Sequence, residues 1–200
     1  MDIKRPKSKQ PMPENAKRVF KGVIYDVYQW EQEMYDGTKA PFEKLKRPDT
    51  VVVFPVLPDG KILMTEQEQP MKGSFFSAPG GRMDEGEDVL TAAKRELLEE
   101  TGYEAEEFIL WNAEYPVGKI DWVVFVFVAK GLKQVSEMNP DSGEKIKLMP
   151  VTFEELLELP EKEDSFFADQ EIVHKLLRAR IYPDEMQKLK ELFKPKEMVQ

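Results

Sequence analysis

The 200-residue sequence contains no cysteine and a single histidine, His174. Without cysteine the chain can form neither a disulfide framework nor a thiolate metal site, and it has no thiol nucleophile. One histidine is too few for a zinc site or an acid–base pair that needs two, and we expect His174 to have a packing or surface role. Any chemistry must therefore depend on carboxylates, amides, hydroxyls and, where one is bound, a metal ion.

Long apolar runs are also missing. The longest, residues 122–129, is far shorter than the roughly 18 residues that a membrane span requires, so it predicts a buried strand and no membrane partner. Residues 1–18 are basic and contain three prolines but have no apolar core, which does not fit a signal peptide. We expect them to form a disordered basic arm, and we expect the protein to be cytoplasmic.

Acidic residues outnumber basic ones by 38 to 29, which gives a formal net charge of −9. Nucleic acids and anionic lipids are bound by basic surfaces, so a long nucleic-acid partner is not expected. The length suits one domain, or one domain with an appendage, and a hydrophobic content of 41% is enough for a globular core.

The residue pattern predicts a mixed class, α/β (α+β), with a mixed sheet and helices on its faces. Apolar residues recur with helical spacing over residues 88–101, and Gly102 stands where a helix commonly ends. The other predicted helices cover residues 152–159, 166–180 and 184–193. Strands are predicted, from β-formers and turn signals, over residues 23–32, 42–45, 50–57, 61–67, 75–78, 107–115, 122–129 and 145–150. We divide the chain into the arm, a small N-terminal β segment (19–46), a main domain (47–194) and a tail (195–200).

Three glutamates crowd the last turns of the helix predicted over 88–101. Glu96, Glu99 and Glu100 stand at i, i+3 and i+4, so their side chains share one face, with Cβ atoms about 5–6 Å apart. Carboxylates are disfavoured at a helix C-terminus by about 0.3–1 kcal/mol each. The ordinary interpretation is a solvated acidic face; the alternative is a site where a divalent cation turns repulsion into coordination. Hard oxygen ligands suit Mg²⁺, with Mn²⁺ as a substitute.

These glutamates belong to a longer pattern. It reads Gly81-x5-Glu87-x7-Arg95-Glu96-Leu97-x-Glu99-Glu100-x-Gly102. At every charged and glycine position the pattern resembles the signature of the Nudix hydrolases, and chance would produce it on the order of 10⁻⁶ times in a chain this long. Tyr103 stands where that family more often has an aliphatic residue, a departure that affects packing more than chemistry.

The resemblance implies an α/β/α sandwich, with residues 47–194 as the catalytic domain. It implies hydrolysis of a nucleoside diphosphate linked to another group, by attack of water on phosphorus with the help of Mg²⁺. The implied metal ligands are the carbonyl oxygen of Gly80 and the carboxylates of Glu96, Glu99 and Glu100, and Glu99 is also a candidate catalytic residue. In the sequence itself, the glycine pair of Gly80 and Gly81 permits a sharp turn close to the helix.

Arg95 and Glu87 are candidate catalytic residues of a different kind. A guanidinium cannot bind a cation, but its donors can hold carboxylates in place, and Glu87 is the expected partner of Arg95. An ordinary surface ion pair is the alternative. The general base is expected in the loop over residues 136–147, where the resemblance to ADP-ribose pyrophosphatases indicates Glu144, with Glu137 and Asp141 as alternatives. A solvated loop charge remains the other interpretation of Glu144.

Resemblance to the ADP-ribose pyrophosphatase group extends over about residues 19–180. An N-terminal β segment, as in that group, implies a homodimer, with Tyr28 or Trp30 stacking on a base; both aromatics also suit a core or interface role. Pro116 follows the motif near the position where the group carries a proline. Gln69 departs from the group, which usually has an arginine before the proline equivalent to Pro70. Without that arginine, the substrate can be another sugar diphosphate, or the specificity can be looser.

The function that we predict is Mg²⁺-dependent hydrolysis of ADP-ribose or a related nucleotide sugar, a small nucleotide diphosphate. Other Nudix substrates are the alternatives: a dinucleoside polyphosphate, NADH or an oxidised nucleotide. A further alternative is a nucleotide-binding module that keeps the fold without the chemistry, although such a module would be expected to lose one of the glutamates. An mRNA-decapping relative is disfavoured by the acidic charge balance.

Overall fold

The computed structural model describes residues 3–140, 142–161 and 170–196. Within these ranges the chain forms eleven β-strands, four α-helices and one short 3₁₀ helix. The strands are β1 (Lys17–Lys21), β2 (Asp26–Glu33), β3 (Lys39–Lys46), β4 (Thr50–Pro55), β5 (Ile62–Gln69), β6 (Lys72–Ser77), β7 (Gly80–Arg82), β8 (Tyr103–Glu114), β9 (Ile120–Asp121), β10 (Val124–Gln134) and β11 (Lys145–Val151). The helices are α1 (Val89–Thr101), α2 (Phe153–Glu158), the 3₁₀ turn (Leu159–Glu161), α3 (Gln170–Ile181) and α4 (Pro183–Leu192).

The central sheet has the order β7-β4-β10-β8 and is mixed, because β4 and β10 run parallel while the other pairs are antiparallel. Successive side chains of a strand point to opposite faces. Val51 and Val53 of β4 therefore pack with Leu97 of α1 on one face. Phe54 packs on the other face with Leu176 of α3. Burial on both sides explains the nearly continuous apolar sequence of these strands.

A second sheet, of order β11-β5-β6, covers the other side of the central sheet together with α2, α3 and α4. Ile62 and Met64 of β5 join the same apolar cluster as Phe54. The central sheet thus lies between α1 and a layer that contains three helices, which is the α/β/α sandwich expected from the sequence. None of the helices in the described residues is long and apolar enough to cross a membrane.

The third sheet is N-terminal and has the order β1-β2-β3-β9. It differs from the predicted 19–46 segment in two ways. Its first strand begins at Lys17, inside the arm predicted to be disordered, and its last strand, β9, comes from far along the chain and pairs with β3 at Leu45↔Ile120. A two-residue strand has no periodicity of its own, which is why sequence patterns missed β9, as they missed the three-residue β7.

The arm packs against the body in the described residues from 3 onwards. Arg5 forms ion pairs with Asp49 (2.7 Å) and Asp121 (3.0 Å), and the buried ammonium of Lys44 donates to the carbonyl of Gln10 (2.6 Å). Disorder was predicted from prolines and positive charge, but the acidic partners lie 44 and more residues away in the sequence. The part of the predicted 166–180 helix before residue 170 and the tail after residue 196 lie outside the described residues.

Candidate active site

Helix α1 carries most of the candidate residues, and its two ends are fixed by local chemistry. The carboxylate of Asp88 accepts hydrogen bonds from the N–H groups of Leu90 and Thr91, both at 3.1 Å, and so caps the first turn. The helix ends at Gly102, which has a φ of 74° and donates its N–H to Leu98. A Cβ at this position would overlap the carbonyl oxygen of Ser136, so the close approach of the next loop also requires glycine.

The acidic face predicted for α1 is largely buried. Glu96 is 8% exposed and Glu100 is 4% exposed, whereas Glu99 is half-buried. Burial, with a smaller contribution from the nearby charge of Glu96, raises the pKa of Glu100 to about 9. Burial also raises the pKa of Glu96 to about 7, against the opposing effect of Arg95. Carboxylates that are buried beside one another favour a cation or a proton between them, and a solvated acidic face does not describe them.

Arg95 holds the cluster together. Its Nε and Nη2 atoms each donate to one oxygen of Glu87 at 2.9 Å, which is the bidentate contact expected from the motif. Its Nη1 atom donates to Glu96 (2.8 Å) and to Glu99 (3.0 Å). The hydrogen bonds from Arg95 lower the pKa of Glu87 and so favour its ionised form. Arg95 thus fixes three carboxylates at once, which leaves it few donors for a substrate.

The glycine pair lies directly against the glutamates. The N–H of Gly80 donates to Oε2 of Glu100 at 3.1 Å, and a Cβ on Gly80 would overlap the backbone of Val51 in the neighbouring strand. A Cβ on Gly81 would overlap the carboxylate of Glu96. A side chain at Gly80 would therefore push β7 away from β4, and one at Gly81 would push the carboxylate of Glu96 out of place.

Sequence reasoning missed Gln67, a buried residue of β5 in the same cluster. Its amide nitrogen donates to Oε2 of Glu100 (3.3 Å) and to the hydroxyl of Thr65 (3.1 Å). In the sequence, Thr65 and Gln67 are only alternate polar residues of a strand; their burial is visible only in the structure, where it calls for a specific partner.

Glu144, the predicted general base, enters the site from the loop before β11. Its carboxylate accepts a hydrogen bond from the amide of Gln69 at 3.1 Å, so two candidate residues contact each other directly. The loop is anchored to the end of α1, because Asn139 donates its N–H to the carbonyl of Glu99 at 2.8 Å. The last carbonyl groups of a helix have no hydrogen-bond partner within the helix. For Glu99 the loop supplies that partner. Of the alternative bases, Glu137 is exposed, and Asp141 lies outside the described residues.

A cleft of about 780 Å³ opens over this cluster. Its lining includes most of the predicted site residues: Gly80, Glu96, Glu99, Glu100, Arg95, Gln69 and Glu144. Arg47 also lines it, and lies over the rings of Trp122 and Tyr25, 4.6 and 5.5 Å from their centroids. A second cavity of about 620 Å³ adjoins it and shares six lining residues with it, among them Arg47, Pro48 and Asp84. Together they form a polar groove between the central sheet and the N-terminal sheet.

The remaining candidates lie further from the carboxylates. Tyr28 and Glu87 line the second cavity. Trp30 is 9% exposed and packs against Phe42 with ring centroids 5.1 Å apart. Its ring is therefore part of the packing of the N-terminal sheet. Pro116 lies outside the lining of both cavities. His174 lies on α3, away from the cleft lining, and the roles predicted for Tyr28, Trp30 and Pro116 stay predictions.

The donor set fits a hard divalent cation. Oε1 of Glu100 accepts no hydrogen bond from the described residues, and Glu96, on the same helix, is buried as well. In the described part of the chain, however, no three acidic or histidine side chains form a complete metal site by themselves. One oxygen of Glu96 and one of Glu99 already accept hydrogen bonds from Nη1 of Arg95. Mg²⁺ commonly keeps water and takes substrate phosphates as ligands, so a few carboxylates and a backbone carbonyl are sufficient.

Comparisons with known proteins agree with this geometry. The profile of the NUDIX domain family matches residues 46–174. The chain is 34% identical over 154 residues to an ADP-ribose pyrophosphatase of Bacillus subtilis (strain 168), covering 76% of this chain and 83% of that protein. It is 33% identical to a methanol dehydrogenase activator of Bacillus methanolicus, covering 72% of this chain and 79% of that one. The crystal structure of an ADP compounds hydrolase superposes with a TM-score of 0.68 at 21% identity, covering 90% of this chain and 98% of that one, and so shares the fold.

Proposed function

The chain belongs to the NUDIX domain family and is a Nudix hydrolase, and we propose that it hydrolyses the pyrophosphate bond of ADP-ribose or a related nucleotide sugar with Mg²⁺. The observation that carries the proposal is the convergence of Glu96, Glu99 and Glu100 on one cleft, two of them buried. The similarity to an ADP-ribose pyrophosphatase over most of both chains supports the choice of substrate.

Nudix hydrolases generally use divalent metals. In this chain the carboxylates of Glu96, Glu99 and Glu100 and the carbonyl oxygen of Gly80 would hold Mg²⁺, with Mn²⁺ as a substitute. When bound, the metal stabilises the negative charge that develops on the phosphate oxygens. The burial of Glu96 and Glu100 supports this assignment, because a cation offsets the cost of ionising them.

Glu144 is the proposed general base. It accepts a proton from a water molecule whose oxygen forms a bond to one phosphorus atom, while the bond from that phosphorus to the bridging oxygen breaks. The bridging oxygen leaves with the second phosphate, so ADP-ribose and water yield AMP and ribose 5-phosphate. The hydrogen bond from Gln69 holds Glu144 at the rim of the cleft, which supports this role. Arg95 positions Glu87, Glu96 and Glu99 and takes no direct part in the reaction.

Because of Gln69, we expect the enzyme to discriminate less strictly among nucleotide diphosphate substrates. Gln69 occupies the place of an arginine that could pair with a phosphate, and it donates to Glu144 instead. Arg47 and Arg82 are cationic residues of the cleft lining outside the carboxylate cluster, and they could neutralise a diphosphate. A nucleotide sugar other than ADP-ribose therefore belongs in every assay.

The test is a panel of ADP-ribose, GDP-mannose, UDP-glucose, NADH, a dinucleoside polyphosphate and an oxidised nucleotide, with product analysis. Wild type should cleave ADP-ribose or another nucleotide sugar at the pyrophosphate only when Mg²⁺ or Mn²⁺ is present. The Glu99→Gln variant should lose most of this activity, and Glu107→Gln, at an exposed position of β8, serves as the matched control. Cleavage that is unchanged in Glu99→Gln or in a chelator would contradict the proposal.

We also propose that the protein is a homodimer joined through its N-terminal sheet. Phe20 of the edge strand β1 is 59% exposed, and Val23 in the following turn is 98% exposed. Apolar side chains on an unpaired strand edge favour association. Light scattering should give twice the chain mass for wild type and a lower mass for Phe20→Lys. A monomeric wild type would refute this proposal.

The cytoplasmic location of the protein stays a prediction.

A further inference from the structure

Strand β5 has two polar faces with different partners. Glu66 and Glu68 point outward and pair across the sheet with Lys147 (3.3 Å) and Lys145 (3.6 Å) of β11. The alternate positions, Thr65 and Gln67, are buried beneath the cleft. Paired charges at exposed positions are ordinary for such a sheet, but buried polar groups need a specific reason.

Gln67 is the central member of a buried chain of hydrogen bonds. The hydroxyl of Thr65 donates to the carbonyl of Ser77 at 3.0 Å and accepts from the amide of Gln67 at 3.1 Å. The same amide nitrogen donates to Oε2 of Glu100 at 3.3 Å. The chain therefore connects the backbone of β6 to one oxygen of a carboxylate on α1.

That one oxygen of Glu100 accepts hydrogen bonds from two donors. The N–H of Gly80, the first residue of β7, also donates to Oε2, at 3.1 Å. Two donors on Oε2 restrict rotation of the carboxylate about its last bond, and in the described part of the chain Oε1 accepts no hydrogen bond. Oε1 is the oxygen left for a ligand in the cleft.

Folding alone does not require an amide at position 67. A leucine or methionine would fill the same space in a buried strand without a polar group that must be satisfied. Glutamine instead provides a neutral donor, which can approach a carboxylate without adding charge to a cleft whose lining already contains six acidic residues. A lysine here would neutralise Glu100 and compete with a cation.

We propose that Gln67 is a positioning residue of the hydrolytic site: with the N–H of Gly80 it fixes Oε2 of Glu100 and so presents Oε1 to the divalent cation. The inference rests on the proposed function, because it requires a cation at Glu100. Gln67 contacts neither the substrate nor the reacting water. Outer partners of metal ligands typically contribute about 10- to 100-fold to metal affinity.

The test compares Gln67→Met with wild type and with Glu68→Gln, an outward-facing control on the same strand. Mn²⁺ affinity is measured by calorimetry or electron paramagnetic resonance on the full chain without substrate, and thermal unfolding is followed in a chelator. Gln67→Met should bind Mn²⁺ about 10- to 100-fold more weakly while it unfolds within a few degrees of wild type. Glu68→Gln should match wild type in both.

Kinetics separate positioning from a general loss of structure. At saturating Mn²⁺ the kcat of Gln67→Met should recover to within about threefold of wild type, with the KM for ADP-ribose little changed; at limiting Mn²⁺ the rate should fall with the affinity. A kcat that stays low at saturating metal, with unchanged Mn²⁺ affinity, would overturn the proposal.

A second variant keeps the test decisive if Gln67→Met does not fold. Thr65→Val preserves shape but removes the hydroxyl that orients the amide of Gln67, and it should weaken Mn²⁺ binding about 3- to 10-fold. Affinity equal to wild type in Thr65→Val, or in a folded Gln67→Met, overturns the inference and leaves the proposed function standing. A wild-type protein that binds no Mn²⁺ and hydrolyses no member of the panel refutes the proposed function itself.

Discussion

Replacing Glu100 with glutamine should stabilise the metal-free protein at alkaline pH although it removes one of the proposed metal ligands. Glu100 is 4% exposed, and burial raises its pKa to about 9 from an ordinary value of 4.5. Glutamine has nearly the same shape, and its carbonyl oxygen can accept the hydrogen bonds that Gly80 and Gln67 donate to Oε2. The variant therefore removes ionisation and keeps packing.

The sign follows from proton linkage. Between pH 4.5 and 9 the folded chain keeps a proton on Glu100 that the unfolded chain has lost, so the free energy of unfolding decreases as pH rises through this window. One pKa unit corresponds to about 1.4 kcal/mol. At pH 8 the span is 8 − 4.5 = 3.5 units, or about 5 kcal/mol from Glu100. Relaxation of the cleft and entry of water reduce this figure, and we expect a difference of about 2–5 kcal/mol.

The assay is urea unfolding in a chelator at pH 5 and pH 8, for wild type, Glu100→Gln and the exposed control Glu107→Gln. Glu100→Gln should match wild type at pH 5 and exceed it by about 2–5 kcal/mol at pH 8. Saturating Mg²⁺ should stabilise wild type at pH 8 and leave Glu100→Gln unaffected. The same pH dependence in both proteins would show that Glu100 is not the buried acid that the structure indicates.

Three further predictions concern individual contacts. Arg95→Lys loses the bidentate contact with Glu87, so kcat should fall about 10- to 100-fold while urea unfolding changes little; a wild-type kcat would contradict this. Asp88→Ala removes the cap of α1 and should lower the free energy of unfolding by about 1 kcal/mol with KM unchanged, and equal urea midpoints would refute the capping role. Arg5→Ala should cost about 1 kcal/mol and speed proteolysis of the N-terminal arm; an unchanged cleavage rate would show that its ion pairs do not retain the arm.

The family, the enzyme class and the sandwich could be predicted because they depend on local patterns. Helix α1 carries its own start at Asp88 and its own end at Gly102, so the spacing of its glutamates translates directly into one face of a helix. The predictions of family, fold and hydrolase activity are confirmed by the NUDIX domain match and by the similarity to an ADP-ribose pyrophosphatase. The roles of the individual site residues stay predictions.

Contacts between distant segments could not be predicted from one sequence. Gln67 meets Glu100 across 33 residues, and no local pattern indicates which residue of α1 faces β5. The same holds for Arg5 and Asp49, 44 residues apart, whose ion pair attaches an arm that composition predicts to be disordered. The burial of Glu96 and Glu100 depends on how closely β7 packs against α1 at Gly80 and Gly81. The residues that surround these two glycines come from distant parts of the chain, so the sequence alone does not identify them.

The central claim is that the buried carboxylates of α1 hold divalent cations. Calorimetric titration of Mg²⁺ and Mn²⁺ into the full chain tests it most directly, for wild type, Glu100→Gln and Glu107→Gln. The account predicts saturable binding in wild type and in Glu107→Gln and its loss in Glu100→Gln. Absence of binding in wild type, with or without ADP-ribose present, or equal binding in all three proteins, would contradict it.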